Sequence, residues 1–166
     1  MSAHPLARLL PSLLRELPRD DKHAFYAWVE AMTPEADHED GPGFAAWLRE
    51  HEATPGDTTW VFADGATGDL LGTASLVKRD RDADAEPGGW VIGGVNVARE
   101  RRGQGVGRVI MRFLEGELQR RSAEVGHAVP VKLVAAYPPA IHLYESFGFR
   151  RVPGSDVFTR MFGATR

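Results

Sequence analysis

Val95-Asn-Val-Ala-Arg-Glu-Arg-Arg-Gly-Gln-Gly-Val-Gly-Arg108 is the stretch that decides how this chain folds. An apolar run, Trp90–Val97, reads as a buried strand and ends inside it. An arginine-rich turn follows. Gly103, Gly105 and Gly107 then open a segment, Gly103–Arg121, in which Val106, Val109, Ile110, Phe113, Leu114 and Leu118 recur at helical spacing. The first N–H groups of a helix have no partner inside it. The helix dipole favours an anion above them, and glycines carry no side chain to fend one off. Arg102 and Arg108 add donors for charge-assisted hydrogen bonds. The stretch predicts a phosphate or pyrophosphate site.

The glycine spacing narrows the ligand. A P-loop needs Lys followed by Ser or Thr after its second glycine, and neither is present. A dinucleotide fingerprint is G-x-G-x-x-G in the first strand–helix unit, with an acid closing the next strand. Here the spacing is G-x-G-x-G and falls late in the chain, and Glu124 lies before the next strand. A nucleotide-binding oxidoreductase is therefore disfavoured.

Working outward, Ser12–Leu17 reads as a first strand. Pro18-Arg-Asp-Asp starts a helix with Asp20 or Asp21 as N-cap, followed by Ala24, Phe25, Trp28, Val29 and Met32 at helical spacing. Thr33-Pro34 stops it, and Gly43–Glu52 forms a second helix. Thr58–Ala63 and Leu70–Val77 read as strands around an Asp64-Gly65 turn. Lys78–Gly89 reads as a loop. Gly93-Gly94 inside Trp90–Val97 points to a bulge or a close backbone approach. Val131–Ala136 is a short buried strand. Pro139–Phe147 is a short helix ended by Gly148. Phe149–Val152 and Val157–Phe162 pair as a closing hairpin, with Val157–Phe162 a candidate sheet edge. This order implies an α/β sheet with helices on its faces.

Composition sets bounds. The chain has 166 residues, 43% hydrophobic, enough for one domain with one core over residues 1–166. Residues 1–11 are treated as an N-terminal extension. There is no cysteine, so disulfides, thiolate metal sites and a cysteine nucleophile are all excluded, in keeping with a cytoplasmic protein. No run of 18 uncharged apolar residues exists, so neither a signal peptide nor a membrane partner is expected. A net charge of −3 speaks against a nucleic-acid partner. The six histidines lack ligand spacing, so no metal is expected. Charge is uneven: Glu30–Asp57 holds eight acids and one base, and Arg99–Arg121 holds seven arginines and three acids.

About 35 residues after the glycine turn comes Ala140-Ile-His-Leu-Tyr-Glu-Ser-Phe-Gly-Phe149. Arg102-Gly-Gln-Gly-Val-Gly107 resembles the (Gln/Arg)-x-x-Gly-x-(Gly/Ala) motif of the GNAT superfamily of N-acetyltransferases. The second segment resembles that family's Ala-x-x-Leu-Tyr-x-x-x-Gly-Phe. The two occur in the family's order with a strand between them, over residues 90–150.

The resemblance implies a GNAT-like mixed, mostly antiparallel sheet of six to seven strands, helices on both faces, and a fourth and fifth strand that splay apart. It implies acetyl-CoA as co-substrate, with no metal. Backbone groups of Val95 and Val97 would pair with the pantetheine arm. The N–H groups of Gly103, Gln104, Gly105, Val106, Gly107 and Arg108 would hold the pyrophosphate, with Arg102 beside them. Tyr144 would stand near the thioester sulfur as general acid, and the Val97 N–H would polarise the thioester carbonyl. Many family members have Asn where this chain has Tyr137, which leaves Tyr137 to stack on the pantetheine or adenine. His142 is expected to be exposed.

Direct transfer to a primary amine in a ternary complex follows, because no nucleophilic triad is evident. The acceptor is a small, cationic amine or a peptide amine. A base must deprotonate it, since an alkylammonium has a pKa near 10. Glu30, Glu35, Asp37 and Glu39 are the candidates, Glu30 or Glu39 foremost. Because family members often dimerise, a homodimer is a further expectation. A non-catalytic acyl-CoA-binding or sensing domain is the alternative: it would share the glycine turn but need neither a proton donor nor an acidic rim.

Overall fold

A computed structural model of the chain describes residues 9–32, 41–80 and 83–163. The strands are β1 (Leu9–Leu13), β2 (Thr58–Asp64), β3 (Leu70–Val77), β4 (Trp90–Val97), β5 (Val129–Val134), β6 (Arg150–Arg151) and β7 (Val157–Phe162). The α-helices are α1 (Arg19–Glu30), α2 (Gly41–Glu52), α3 (Val106–Val125) and α4 (Pro138–Ser146). The strands form one mixed sheet in the order β1-β2-β3-β4-β5-β7-β6. β1 pairs antiparallel with β2, β5 with β7, and β6 with β7. β4 and β5 pair in parallel through Trp90 with Val131 and Val91 with Lys132, at the start of β4 and the middle of β5. The expected GNAT-like mixed sheet is what the chain forms.

The chain divides into two compact units. One holds residues to Ser75 together with Gly94–Val106, and the other holds Leu76–Gly93 together with Gly107 onward. In the first, α1 buries Phe25, Tyr26 and Val29 against Ala45 and Leu48 of α2, with Leu14 and Val61 completing the cluster. Each large side chain fully buried in this way contributes about 1.5–3 kcal/mol. In the second, α3 buries Ile110, Met111, Leu114 and Leu118, and β5 buries Val129, Val131 and Leu133 on alternate positions. Phe149 and Phe162 meet there with ring centroids 5.9 Å apart.

Several boundaries differ from expectation. The first strand is Leu9–Leu13, not Ser12–Leu17, and Leu14–Glu16 is a single 3-10 turn that buries Leu14. A short apolar run does not reveal its own register. Here pairing from Leu9 opposite Asp64 to Leu13 opposite Trp60 selects it, and draws residues 9–11 out of the expected extension. The N-cap of α1 is Pro18, with no side-chain bond, and Asp20 and Asp21 sit in the first turn, where the dipole favours them. Val157–Phe162 is not an edge: β7 lies between β5 and β6, although β6 covers only Phe158 and Thr159. The Lys78–Gly89 connection contains an Arg79–Asp84 bridge instead of irregular loop alone. The Asp64-Gly65 turn forms as expected, with the Asp64 carboxylate accepting from the Ala66 N–H at 2.8 Å.

The long helix begins at Val106 rather than Gly103 and runs on to Val125. Gly103 and Gly105 have φ of +74° and +86°, which a right-handed helix excludes. At the far end the Gly126 N–H closes on the Ser122 carbonyl at 2.9 Å.

Candidate active site

In the first unit, β4 carries the backbone expected to meet a substrate. Gly94 has φ +59°, and a Cβ there would lie 2.8 Å from the Trp47 ring and 3.3 Å from Ser75 Oγ. The Gly94 carbonyl accepts from Thr73 Oγ1 at 2.6 Å. Of the bulge or close backbone approach expected at Gly93-Gly94, the close approach is present. Trp47 is placed by His51, whose ring is 4.2 Å away, and His51 Nδ1 lies 2.8 Å from the buried Asp57 carboxylate. Gly94 thus lies against a chain of three side chains, Trp47, His51 and Asp57, from α2 and the loop after it.

Beyond Val97 the chain makes a 3-10 turn, Arg99–Arg101, and then the glycine turn. Its arginines bond to neighbouring parts of the chain. Arg102 Nε donates to the Val97 carbonyl at 3.0 Å, and its Nη2 approaches Asn96 Oδ1 at 3.4 Å. Gln104 Nε2 donates to the Glu100 carbonyl at 3.1 Å. Arg101 reaches Asp69 at 3.4 Å and Asp64 at 3.6 Å. The Ala66 N–H bond, then those of Thr67 and Arg101, hold the Asp64 carboxyl below the usual carboxylate range despite some burial. Arg102 and Gln104 therefore brace the turn, while Gly103 and Gly105 leave its backbone bare. A Cβ on Gly103 would meet nothing within 4 Å. This suits a phosphate ester better than a cation: the turn offers N–H groups and no carboxylate among its own residues.

Asn96 was not singled out by sequence. Its Nδ2 lies 3.6 Å from Met32 Sδ, so one side chain links β4, Arg102 and the end of α1. Its signal was present, since Asn96 is the one amide in an apolar strand.

In the second unit, Gly107 and Arg108 lie in the first turn of α3, and the Arg108 guanidinium stands 5.6 Å from the centre of the Phe147 ring. Tyr144 is fixed by the way α4 ends. The Gly148 N–H donates to the Glu145 carbonyl at 3.0 Å, and the Phe149 N–H donates to the Tyr144 carbonyl at 3.2 Å. Gly148, at φ +84°, makes this Schellman motif feasible. The Phe149 ring packs edge to face on Tyr144 at 6.4 Å. Leu-Tyr-x-x-x-Gly-Phe is thus a helix stop that also sets a tyrosine.

Tyr144 is 9% exposed, and burial pushes its phenol up to about 12. No buried side-chain oxygen among the described residues lacks a partner. The Tyr144 hydroxyl bonds to none of those residues. Tyr137 precedes α4 and is 44% exposed, and His142 is exposed as expected.

The acidic stretch is partly occupied. Glu30 accepts from Arg49 at 2.7 Å, and both are exposed. Glu52 accepts from Lys22 and, at 2.8 Å, from the Tyr26 hydroxyl. Burial, and then Glu52, push the Tyr26 phenol well above its ordinary value. Glu35, Asp37 and Glu39 lie outside the described residues. Among those described, no cluster of His, Asp or Glu could hold a metal ion, and no helix is long and apolar enough to cross a membrane.

The sequence model of the acetyltransferase (GNAT) family matches residues 15–149. The chain belongs to the GNAT acetyltransferase family. No curated protein matches it by sequence. Among solved structures this GNAT chain resembles the spermidine/spermine N-acetyltransferase SpeG of Vibrio cholerae, crystallised with manganese ions, at 17% identity and TM-score 0.56 over 94% of each chain. It also resembles a protein from Bordetella pertussis assigned to the GNAT-family acetyltransferases, at 20% identity and TM-score 0.62 over 93% of this chain and 95% of that one. A third likeness is to the KacTA–DNA complex, at 18% identity and TM-score 0.59 over 92% of each chain. At these identities the likeness is one of GNAT fold.

Proposed function

We propose that this protein is an N-acetyltransferase that moves the acetyl group of acetyl-CoA to a primary amine of a small, cationic acceptor by direct transfer. The observation that carries the reading is the turn between β4 and α3, where Gly103 and Gly105 take left-handed conformations and a Cβ on Gly103 would meet nothing within 4 Å. A glycine turn of this kind, followed by the positive end of a long helix, favours a diphosphate. The N–H groups of Gly103 to Arg108 would hold it, and the backbone of Val95 and Val97 would bind the pantetheine arm. Tyr137 would lie against the adenine or pantetheine.

The chemistry needs three proton-level tasks. The acceptor must give up a proton, and a carboxylate of the acidic stretch takes it, directly or through water. Glu30 is one candidate. Its exposed pairing with Arg49 is worth at most about 1 kcal/mol and opens easily. Glu39 is the other. The amine then adds to the thioester carbonyl, whose developing negative charge the Val97 N–H would stabilise. The carbon–sulfur bond breaks, the CoA thiolate takes a proton from Tyr144, and the second proton of the attacking nitrogen restores the phenol as the amide forms. Burial keeps that phenol protonated at any physiological pH.

Support for a cationic acceptor comes from the acids of residues 30–57 and from the polyamine acetyltransferases among the structural neighbours. A cytoplasmic location fits a chain without cysteine. A homodimer fits the partly uncovered β7. The test is a screen of free-thiol release from acetyl-CoA with polyamines, aminoglycosides, amino acids and peptide N-termini. Turnover with at least one class is expected. Tight CoA binding with no turnover on any amine would favour a non-catalytic acyl-CoA-binding protein.

A further inference from the structure

The arginines of α3 fall into two settings. Near its end, Arg120 is held by Glu117 and Glu124, and Arg121 by Glu117. In the first two turns, Arg108 and Arg112 stand one helical turn apart, and both are exposed. Among the described residues neither has a carboxylate partner or a hydrogen bond. The only acid within three or four positions of Arg112 is Glu115, and Arg160 already engages it.

Two features of this arrangement are unfavourable as the protein stands. Like charges four apart on a helix repel. Cations near a helix N-terminus oppose its dipole. The Phe147 ring beside Arg108 holds one guanidinium in place without neutralising it. A bound dianion would reverse both unfavourable effects. Two guanidiniums one turn apart suit a phosphate monoester, which presents three oxygens and nearly two charges at neutral pH.

Coenzyme A carries one such group, the 3′-phosphate of its ribose, besides the diphosphate. We propose that Arg108 and Arg112 bind the 3′-phosphate, so that the protein discriminates coenzyme A from 3′-dephospho-coenzyme A. Arg112 is then a specificity residue that neither sequence motif contains. The inference rests on the coenzyme A reading above.

Calorimetry of the full chain with CoA and with 3′-dephospho-CoA tests it, using wild type, Arg112→Gln and the double variant Arg108→Gln/Arg112→Gln. Glutamine keeps helix propensity and removes the charge. Wild type should bind CoA at least about tenfold more tightly than dephospho-CoA, a difference of about 1.4 kcal/mol. The double variant should bring that ratio close to one by weakening CoA more than dephospho-CoA. Equal binding of both ligands by wild type, or a ratio that survives in the double variant, would overturn the proposal. Wild type alone supplies a second check. The ratio should shrink as pH falls below about 6, where the monoester loses its second charge, and a ratio unchanged from pH 7.5 to 5.5 would sink the idea. If wild type binds neither ligand, the coenzyme A reading itself fails, and the proposal with it.

Discussion

The Phe149 N–H donates to the Tyr144 carbonyl at 3.2 Å while the two rings meet edge to face, so one residue holds both the backbone and the side chain of the tyrosine. The ring cannot turn without losing that contact. Its hydroxyl bonds to none of the described residues. Tyr144→Phe should therefore leave stability and CoA affinity near wild type while lowering kcat about 100-fold or more. Steady-state kinetics beside calorimetry separates the two effects. An unchanged kcat would remove Tyr144 from the chemistry.

The same phenol predicts an alkaline limb in stability. The folded chain keeps the Tyr144 proton to about pH 12, whereas an unfolded tyrosine releases it near pH 10. Between those values the folded state binds more protons, so stability falls as pH rises. The contribution is intact below pH 10, and about 2–3 kcal/mol is lost by pH 12. Tyr26, pushed up by burial and by Glu52, acts in the same direction. Urea unfolding at pH 9 and pH 11.5 should show the loss, and Tyr144→Phe should make it smaller. Equal pH dependence in both proteins would contradict the assignment.

Gly94→Ala should be costly for two separable reasons. Its φ of +59° strains any side-chained residue, and the new Cβ would stand 2.8 Å from the Trp47 ring. A loss of about 2–4 kcal/mol is expected, lowering Tm by roughly 5–15 °C. Adding Trp47→Phe removes the outer ring atoms that clash. The double variant should recover the packing part and keep the backbone part, which a double-mutant cycle in thermal unfolding reads directly.

Gly105→Val tests the phosphate turn. Its φ of +86° is poorly tolerated by a β-branched residue, and the side chain would cover the bare backbone. CoA binding should drop by more than 100-fold in calorimetry. Retained affinity would place the diphosphate elsewhere.

Much of this was legible in the sequence because it is local. The strand, glycine turn and helix from Trp90 onward carry their signals within a few residues, as do Gly148 and the aromatic positions around it. The helix start was misplaced because spacing does not say which glycines go left-handed. The first strand was misplaced because only its pairing with β2, nearly fifty residues away, sets its register. The chain Asp57–His51–Trp47–Gly94 stayed hidden because three elements must fold before its members touch. The Arg102 bond to the Val97 carbonyl was hidden for a related reason: it forms only once the turn has folded back on the end of β4.

The two borders of the sheet carry a consequence for life at high concentration. β1, the outermost strand on one side, has Pro11 at its centre, and a proline has no N–H to offer a neighbouring molecule. On the other side β6 is only Arg150–Arg151, two charged residues that repel a second copy of themselves. Neither border gives a stray strand an unbroken row of partners, so the protein is protected against growing into fibrils edge by edge.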